Sequence, residues 1–263
     1  MDLTDAQFER YARHLILDEV GEEGQARLLS SRVLVVGAGG LGAPLLLYLA
    51  AAGVGTLGVI DDDVVELSNL QRQVIHTTER VGMPKVESAA AMLASVNPDV
   101  RVIAMQARLT ADSAASIIAD YDLVADGSDN FTTRFLLNDA CFLQGKTLAS
   151  AALLRFDAQI STYKAHLGDP HPCYRCLFPE RPPEDLIPRC EQAGILGALA
   201  GTVGCLQATE VLKELLGIGE SLSGHLLIYD ALATTFRKIK VKRDPACALC
   251  GPQATITNLS QSG

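Results

Sequence analysis

Four groups of residues in the 263-residue sequence have types and spacings that could do chemistry. The first is GAGGLG, with Gly37, Gly39 and Gly42 spaced so that the backbone turns tightly and brings N–H groups at a helix amino terminus toward a phosphate. Asp61 ends the apolar run that follows, where a carboxylate suits a ribose hydroxyl. These residues leave open whether that ribose belongs to a redox dinucleotide or to ATP. The second group answers in part. In VIDDDVVELSNLQRQ, Ser68, Asn69, Leu70, Gln71, Arg72 and Gln73 set amides, a hydroxyl and a guanidinium beyond the ribose position, and Lys85 follows. Cations and amides suit a triphosphate, whose transfer is mainly a matter of position and charge. A solvated loop capped by Ser and Asn would use the same residue types.

The third group is Asp126-Gly-Ser-Asp129-Asn130, directly after a short apolar run. A carboxylate there can hold Mg²⁺ against phosphates, or Asp129 can simply cap the helix that follows. The fourth is the pair of C-x₂-C knuckles, Cys173 with Cys176 and Cys247 with Cys250. Four thiolates so paired read as a tetrahedral structural zinc site, closed to substrate. Cys190 follows the proline-rich FPERPPEDLIP and stands beside Arg189, so it is either an exposed nucleophilic thiolate or an inert loop cysteine. Cys141 and Cys205, within apolar helical runs, read as small core residues.

These groups need a frame to hold them. Residues 32–36 read as a strand, 41–52 as a helix and 56–60 as a second strand, a Rossmann-type opening. Strands over 100–106, 122–125 and 147–151 then alternate with helices over 85–96, 111–119 and 131–143. This alternation predicts an α/β fold with a doubly wound, mainly parallel sheet. Residues 158–163, 225–229 and 235–241 read as antiparallel strands, and 193–216 as an apolar helix. The expected organisation is one domain over 1–251, with a nucleotide-binding part over about 30–155 and a zinc-pinned part over about 156–251. A short polar tail, 252–263, follows.

Composition narrows the function classes. A net charge of -9 argues against a broad nucleic-acid surface, which needs clustered Lys and Arg. Residues 33–60 carry no charged side chain, yet their glycines and proline punctuate them as a buried βαβ unit rather than a membrane span. The first residues lack a secretory pattern, so a cytoplasmic location is expected.

In order, GAGGLG, DDDVVELSNLQRQ, GMPK, DGSDN, CYRC, CEQAG and CALC resemble the E1-like adenylyltransferase family, which includes MoeB, ThiF and HesA, over residues 5–251 or so. The resemblance implies Mg²⁺- and ATP-dependent adenylylation of the carboxy-terminal glycine of a small ubiquitin-like sulfur-carrier protein ending in Gly-Gly, with release of pyrophosphate. It implies nucleotide contacts from Gly40 and Asp61, phosphate contacts from 68–72 and Lys85, and Mg²⁺ placed by Asp129 with Asn130. It also implies a homodimer in which Arg13, in RYARHLIL, reaches the partner subunit's ATP site. The CYRCLFPERPPE and SGHLLIYDALATTFRKIKV segments look nearest the molybdopterin-synthase-activating type, acting on a MoaD-like carrier. The DDD run and HTTE also suit the thiamine-pathway type, which acts on ThiS. The chain ends soon after Cys250, so the sulfur donor is expected to be a separate protein. Two other readings stay on the table: an NAD-dependent oxidoreductase, from GAGGLG and Asp61, and a non-catalytic scaffold that binds the carrier.

Overall fold

The computed structural model describes residues 3–182 and 194–261. A single eight-stranded sheet runs through them in the order β3-β2-β1-β4-β5-β6-β7-β8. Its strands are β1 Arg32–Val36, β2 Thr56–Ile60, β3 Arg101–Met105, β4 Leu123–Asp126, β5 Thr147–Leu154, β6 Asp157–Tyr163, β7 His225–Asp230 and β8 Thr235–Lys240. Strands β1 to β5 pair in parallel and β6 to β8 add antiparallel. The change follows from the connections. β5 turns back through a two-residue tip, with Leu154 paired to Asp157, whereas each earlier strand is followed by a helix or a long crossover.

The helices are α1 Asp5–Arg10, α2 Ala12–Leu15, α3 Gly21–Ser30, α4 Gly42–Ala51, α5 Lys85–Val96, α6 Ala111–Ala119, α7 Phe131–Leu143, α8 Tyr174–Leu177 and α9 Gly197–Leu216. Central strands covered on both faces must be apolar throughout, and β1 (RVLVV) and β4 (LVAD) are buried almost end to end. One face packs α4, α5 and α9 on Val33, Val35, Leu57 and Val59, and the other packs α6 and α7 on Leu34, Val36 and Val124. Leu45, Leu46 and Leu49 of α4 are wholly buried, each stabilising the fold by roughly 1.5–3 kcal/mol. α9 can lie close on α4 because Gly204 faces Pro44 and Leu41: a Cβ there would stand 2.4 Å from Pro44 Cγ.

Several expectations are corrected. β5 extends to Leu154 rather than stopping at 151, because it pairs with β6 from Leu148 to Leu154. The described part of the last long helix starts at Gly197, after Leu196 in extended conformation. Cys205 on α9 is only half-buried, whereas Cys141 on α7 is in the core. The amino-terminal helices α1 to α3 have no counterpart in the sequence reading. They are anchored by Tyr11, whose hydroxyl accepts from Asn97 Nδ2 at 2.9 Å, and by Leu28. No described helix is long and apolar enough to cross a membrane, and residues 33–60 form β1, α4 and β2.

Candidate active site

Where the strand order reverses, the connections that follow the paired strands β1 and β4 go to opposite faces of the sheet, α4 on one and α7 on the other, and leave a crevice at the strands' carboxyl ends, the usual ligand position in such sheets. A cleft of about 610 Å³ opens there, within the 300–1,000 Å³ range typical of small-molecule sites. The glycine turn forms its floor. Gly37 has φ +95°, and a Cβ on it would stand 2.8 Å from the Gly127 carbonyl oxygen. A Cβ on Gly42 would run into the Gly37 carbonyl, so the fold itself requires both glycines. At Gly39 the nearest atom to such a Cβ is Gln73 Nε2 at 3.7 Å, and this part of the turn faces the open cleft.

Asp61 stands at the end of β2 with both oxygens oriented by backbone: Oδ2 accepts from Ala38 N–H at 2.8 Å and Oδ1 from Asp63 N–H at 2.9 Å. Burial pushes its pKa up, opposed by Lys85 and by those two N–H groups. Each oxygen keeps a further lone pair for a ribose hydroxyl. His76 secures the same turn from beneath. Its Nε2 lies 3.0 Å from the Ala38 carbonyl, which only accepts, so Nε2 carries the proton and Nδ1 accepts from Ser88 Oγ at 2.8 Å.

Lys85 is the first residue of α5, where a cation opposes the helix dipole. Its buried ammonium is matched by Asp63 Oδ2 at 2.7 Å. Arg72 is half-buried on the cleft wall, with Nη1 donating to the Ser68 carbonyl at 3.1 Å. The run before it divides. Asn69 lines the cleft while closing a capping box with Glu66, and Gln73 lines it with a buried Oε1 that has no hydrogen-bond partner among the described residues. Ser68 turns to Glu66 instead, its Oγ donating at 3.1 Å, and neither Ser68, Leu70 nor Gln71 forms part of the wall. Gly42 likewise lies behind the turn. The carboxylates Asp61, Asp62 and Asp63 lie close enough together to hold a cation. Two of them are already ion-paired, Asp63 with Lys85 and Asp62 with Arg108 at 3.2 Å.

Across the cleft, the helix cap is Asn130, whose Oδ1 accepts from Thr133 N–H at 2.8 Å. Asp129 is therefore not the cap. It lines the cleft, exposed, and its carboxylate makes no hydrogen bond or ion pair among the described residues. Beneath it Asp126 is fully buried and bound by Arg134 Nε at 3.1 Å, Ser150 Oγ at 2.9 Å and Ser128 Oγ at 2.6 Å. Burial alone would lower the Arg134 pKa, but Asp126 and Tyr174 outweigh it and raise it. Arg134, Tyr174, Phe178 and Arg155 also line the cleft and were missed in the sequence. The available signal was Arg134, one helical turn after Asn130 and facing the preceding DGSD loop. Arg13 is exposed on α2 and is not part of this chain's own cleft. Cys190 lies outside the described residues.

The cysteine cluster is apart from the cleft. Sγ–Sγ distances are 3.8 Å for Cys173–Cys176, 3.5 Å for Cys173–Cys247 and 3.4 Å for Cys176–Cys250, with all four within 4.8 Å of one another. A tetrahedral zinc with bonds of about 2.3 Å has sulfur–sulfur edges of about 3.8 Å, so the donor set fits that ion and not disulfides. The knuckles are held from outside the cluster. Arg175 donates to both oxygens of Asp139 at 2.7 Å, and Arg243 donates to the carbonyls of Ala165 (3.0 Å) and Cys250.

Comparison with known proteins places this geometry. A model of the ThiF family matches residues 11–249. The SAMP-activating enzyme E1 of Haloferax volcanii is 54% identical over 95% of this chain and 92% of its own length. The sulfur carrier protein adenylyltransferase of Thermus thermophilus is 52% identical over 98% and 96%. The adenylyltransferase and sulfurtransferase MOCS3 of Sus scrofa is 50% identical over 98% of this chain, which spans 56% of that longer protein. Among solved structures, E. coli MccB superimposes with a TM-score of 0.80 at 20% identity, covering 95% of this chain and 76% of its own, a likeness of fold.

Proposed function

The chain belongs to the ThiF family and is an adenylyltransferase, and from that premise we propose that it activates the carboxy-terminal glycine of a small ubiquitin-like sulfur carrier ending in Gly-Gly. The observation that carries this reading is the gathering of Asp61, Asn69, Arg72, Gln73, Lys85 and Asp129 around one crevice beside the glycine turn. In the reaction a carboxylate oxygen of the carrier attacks the α-phosphorus of ATP. An O–P bond forms, the bond to the bridging oxygen of pyrophosphate breaks, and the leaving group carries off that electron pair.

Two anions must meet for this to happen, so the residues' task is to offset repulsion and fix the line of attack. Asp61 holds the ribose and the glycine turn receives phosphate through backbone N–H groups. Arg72 and Lys85 offset charge on the phosphates, and Lys85, being buried, acts more strongly than a cation in bulk solvent. Gln73 Oε1, buried and without a partner among the described residues, supplies an acceptor for the nucleotide. The carboxylate of Asp129, with no partner among the described residues, suits Mg²⁺, which when bound would supply further positive charge to the phosphates.

In the same reading the four cysteines hold a structural Zn²⁺, the active unit is a homodimer to which Arg13 contributes across the interface, and the enzyme works in the cytoplasm. The sulfur donor is a separate protein. The carrier is MoaD-like, in molybdenum cofactor synthesis, a choice supported by the CYRCLFPERPPE segment and residues 223–241. The test is carrier-dependent exchange of labelled pyrophosphate into ATP, run in parallel with MoaD-like and ThiS-like carriers. Exchange with the first and not the second is expected; exchange with ThiS alone would reassign the pathway, and none with any Gly-Gly carrier would defeat the reading.

A further inference from the structure

The hairpin between β5 and β6 puts an arginine where the backbone favours glycine. Its tip is the two-residue loop Arg155-Phe156, closed by the pairing of Leu154 with Asp157. Arg155 has φ +58°, whereas Phe156 keeps an ordinary negative φ. In a two-residue hairpin loop a first position at positive φ ordinarily belongs to glycine, because a Cβ there crowds the backbone. Arg155 is held in this conformation from both sides: it forms a parallel bridge with Ile195, and the Phe156 carbonyl accepts from Ala231 N–H at 2.9 Å. A strained residue fixed by its surroundings at the edge of a cleft points to a use for its side chain rather than for the turn.

The same residue stands apart among the charges of the cleft. Arg72, Lys85, Arg108, Arg134 and Arg155 are the cations that line it among the described residues. All but the last are matched within the fold: Arg72 by the Ser68 carbonyl, Lys85 by Asp63, Arg108 by Asp62 and Arg134 by Asp126. Arg155 is exposed, and its guanidinium has no partner among the described residues, not even Asp157 two positions on.

Its place in the sheet separates it from the nucleotide. β4 ends at Asp126, opposite Ser150, and β5 runs on through residues 151–154. At about 3.3 Å per residue that extension carries the tip about 13 Å beyond the strand ends that bear the glycine turn. Asp61 follows β2, which lies across β1 and β4 from β5. A nucleotide with its ribose on Asp61 and its phosphates at the glycine turn lies along the floor, and the rim at Arg155 is left for what enters from outside.

We propose that Arg155 binds the carboxy-terminal tail of the carrier as it enters the cleft, donating to main-chain carbonyls upstream of the terminal glycine. This rests on the reading of the substrate as a carrier ending in Gly-Gly. Glycines present no side chain, so such a tail is recognised only through its main chain and its terminal carboxylate. The carboxylate must reach the α-phosphorus on the floor, which leaves carbonyls at the rim. A guanidinium offers five donors and no acceptor in a rigid fork, which suits it to more than one carbonyl at once.

Arg155→Gly removes the guanidinium and gives the tip the residue its backbone favours, so the thermal midpoint is expected at or above the wild-type value. Exchange of labelled pyrophosphate is run with whichever Gly-Gly carrier, MoaD-like or ThiS-like, supports it in the wild type. KM for that carrier is expected to rise about ten-fold, the scale of one hydrogen bond from a charged group. KM for ATP, the ATP affinity measured by calorimetry without carrier, and kcat should each stay within about two-fold of wild type. Arg155→Asn, which also tolerates positive φ, should behave in the same way. An equal rise in KM for ATP, or a loss that comes with a lowered midpoint, would overturn the proposal. Exchange by the wild type with carrier KM unaltered in both variants defeats the proposal alone, whereas no exchange by the wild type with any Gly-Gly carrier defeats the adenylylation reading and the proposal with it.

Discussion

Two aspartates three residues apart separate what a residue does for the fold from what it does for the cleft. Asp126 is fully buried opposite Arg134, and Asp129 is exposed with no partner among the described residues. Asp126→Asn leaves a buried guanidinium without its counter-charge and is expected to cost about 3–5 kcal/mol in urea unfolding. Asp129→Asn should leave the unfolding midpoint unchanged and lower pyrophosphate exchange by about 10²-fold, the scale of one lost charge-stabilising group at a reacting centre. A variant of Asp129 that retains exchange but loses stability would show the assignment to be reversed. Cys190 makes a different case. Adenylylation by direct attack of the carrier's carboxylate on ATP needs no thiol, so Cys190→Ala is expected to retain wild-type pyrophosphate exchange, and a large loss would place the thiol in the adenylylation step itself.

At the scale of elements, the glycine turn, α5 and the 126–130 loop must be held in register, and His76 is one of the ties. Burial holds its pKa below the ordinary histidine value, with the positive charges of Lys85 and Arg80 adding to that and the Ala38 carbonyl opposing it. The folded state therefore binds fewer protons here than the unfolded chain, and stability falls as pH drops from the unfolded value, about 6.5, toward the depressed one. Thermal midpoints of wild type and His76→Gln measured between pH 7.5 and 5.5 should converge on acidification, because only the wild type loses this increment. The cysteine staple is a second tie. Its local core is small, consisting mainly of the cysteines themselves with Ala165, Leu249 and Ile256. Structural zinc contributes roughly 10–16 kcal/mol in small peptides, comparable with the whole stability of an ordinary domain. Chelation is accordingly expected to release residues 244–261 to proteolysis before the parallel strands lose amide protection. The parallel half of the sheet was legible in the sequence, because β-branched runs, glycine turns and apolar helices alternate there without ambiguity. So was the place of Asp61, Lys85 and Asp129 on the cleft wall, because they follow strand ends or begin a helix, and that of Arg72, on the polar run between β2 and α5. Tyr174, Phe178 and Arg155 were not, since they reach the cleft only through the return of β6 and the knuckle, contacts between residues distant in sequence. Helices α1 and α2 were not either: they are short, and no residue of either is buried.

At the scale of the whole molecule, two groups of exposed apolar residues stand on separate segments of the chain. Phe8, Ile16 and Leu17 are exposed on the amino-terminal segment, and Val64, Leu67, Val74 and Val81 on the run that carries Arg72. Single exposed apolar residues are ordinary, but two such groups on one chain suit an interface that buries them against a second copy. Arg13 is exposed just before Ile16 and is not among the described residues that line this chain's cleft, as the proposed role in a partner's site requires. A two-fold dimer would bring each Arg13 to the partner's cleft if residues 13–17 of one copy meet the 64–81 run of the other, since every contact of such an interface occurs twice. Complementation distinguishes this from a surface arginine. Arg13→Ala and Asp129→Ala should each abolish most exchange as homodimers. Co-expressed in equal amounts, they form mixed dimers in about half the population, each with one site that has both residues intact, so activity should return to about one quarter of wild type. If Arg13 acted within its own subunit, every site in the mixture would lack one of the two residues and no activity would return.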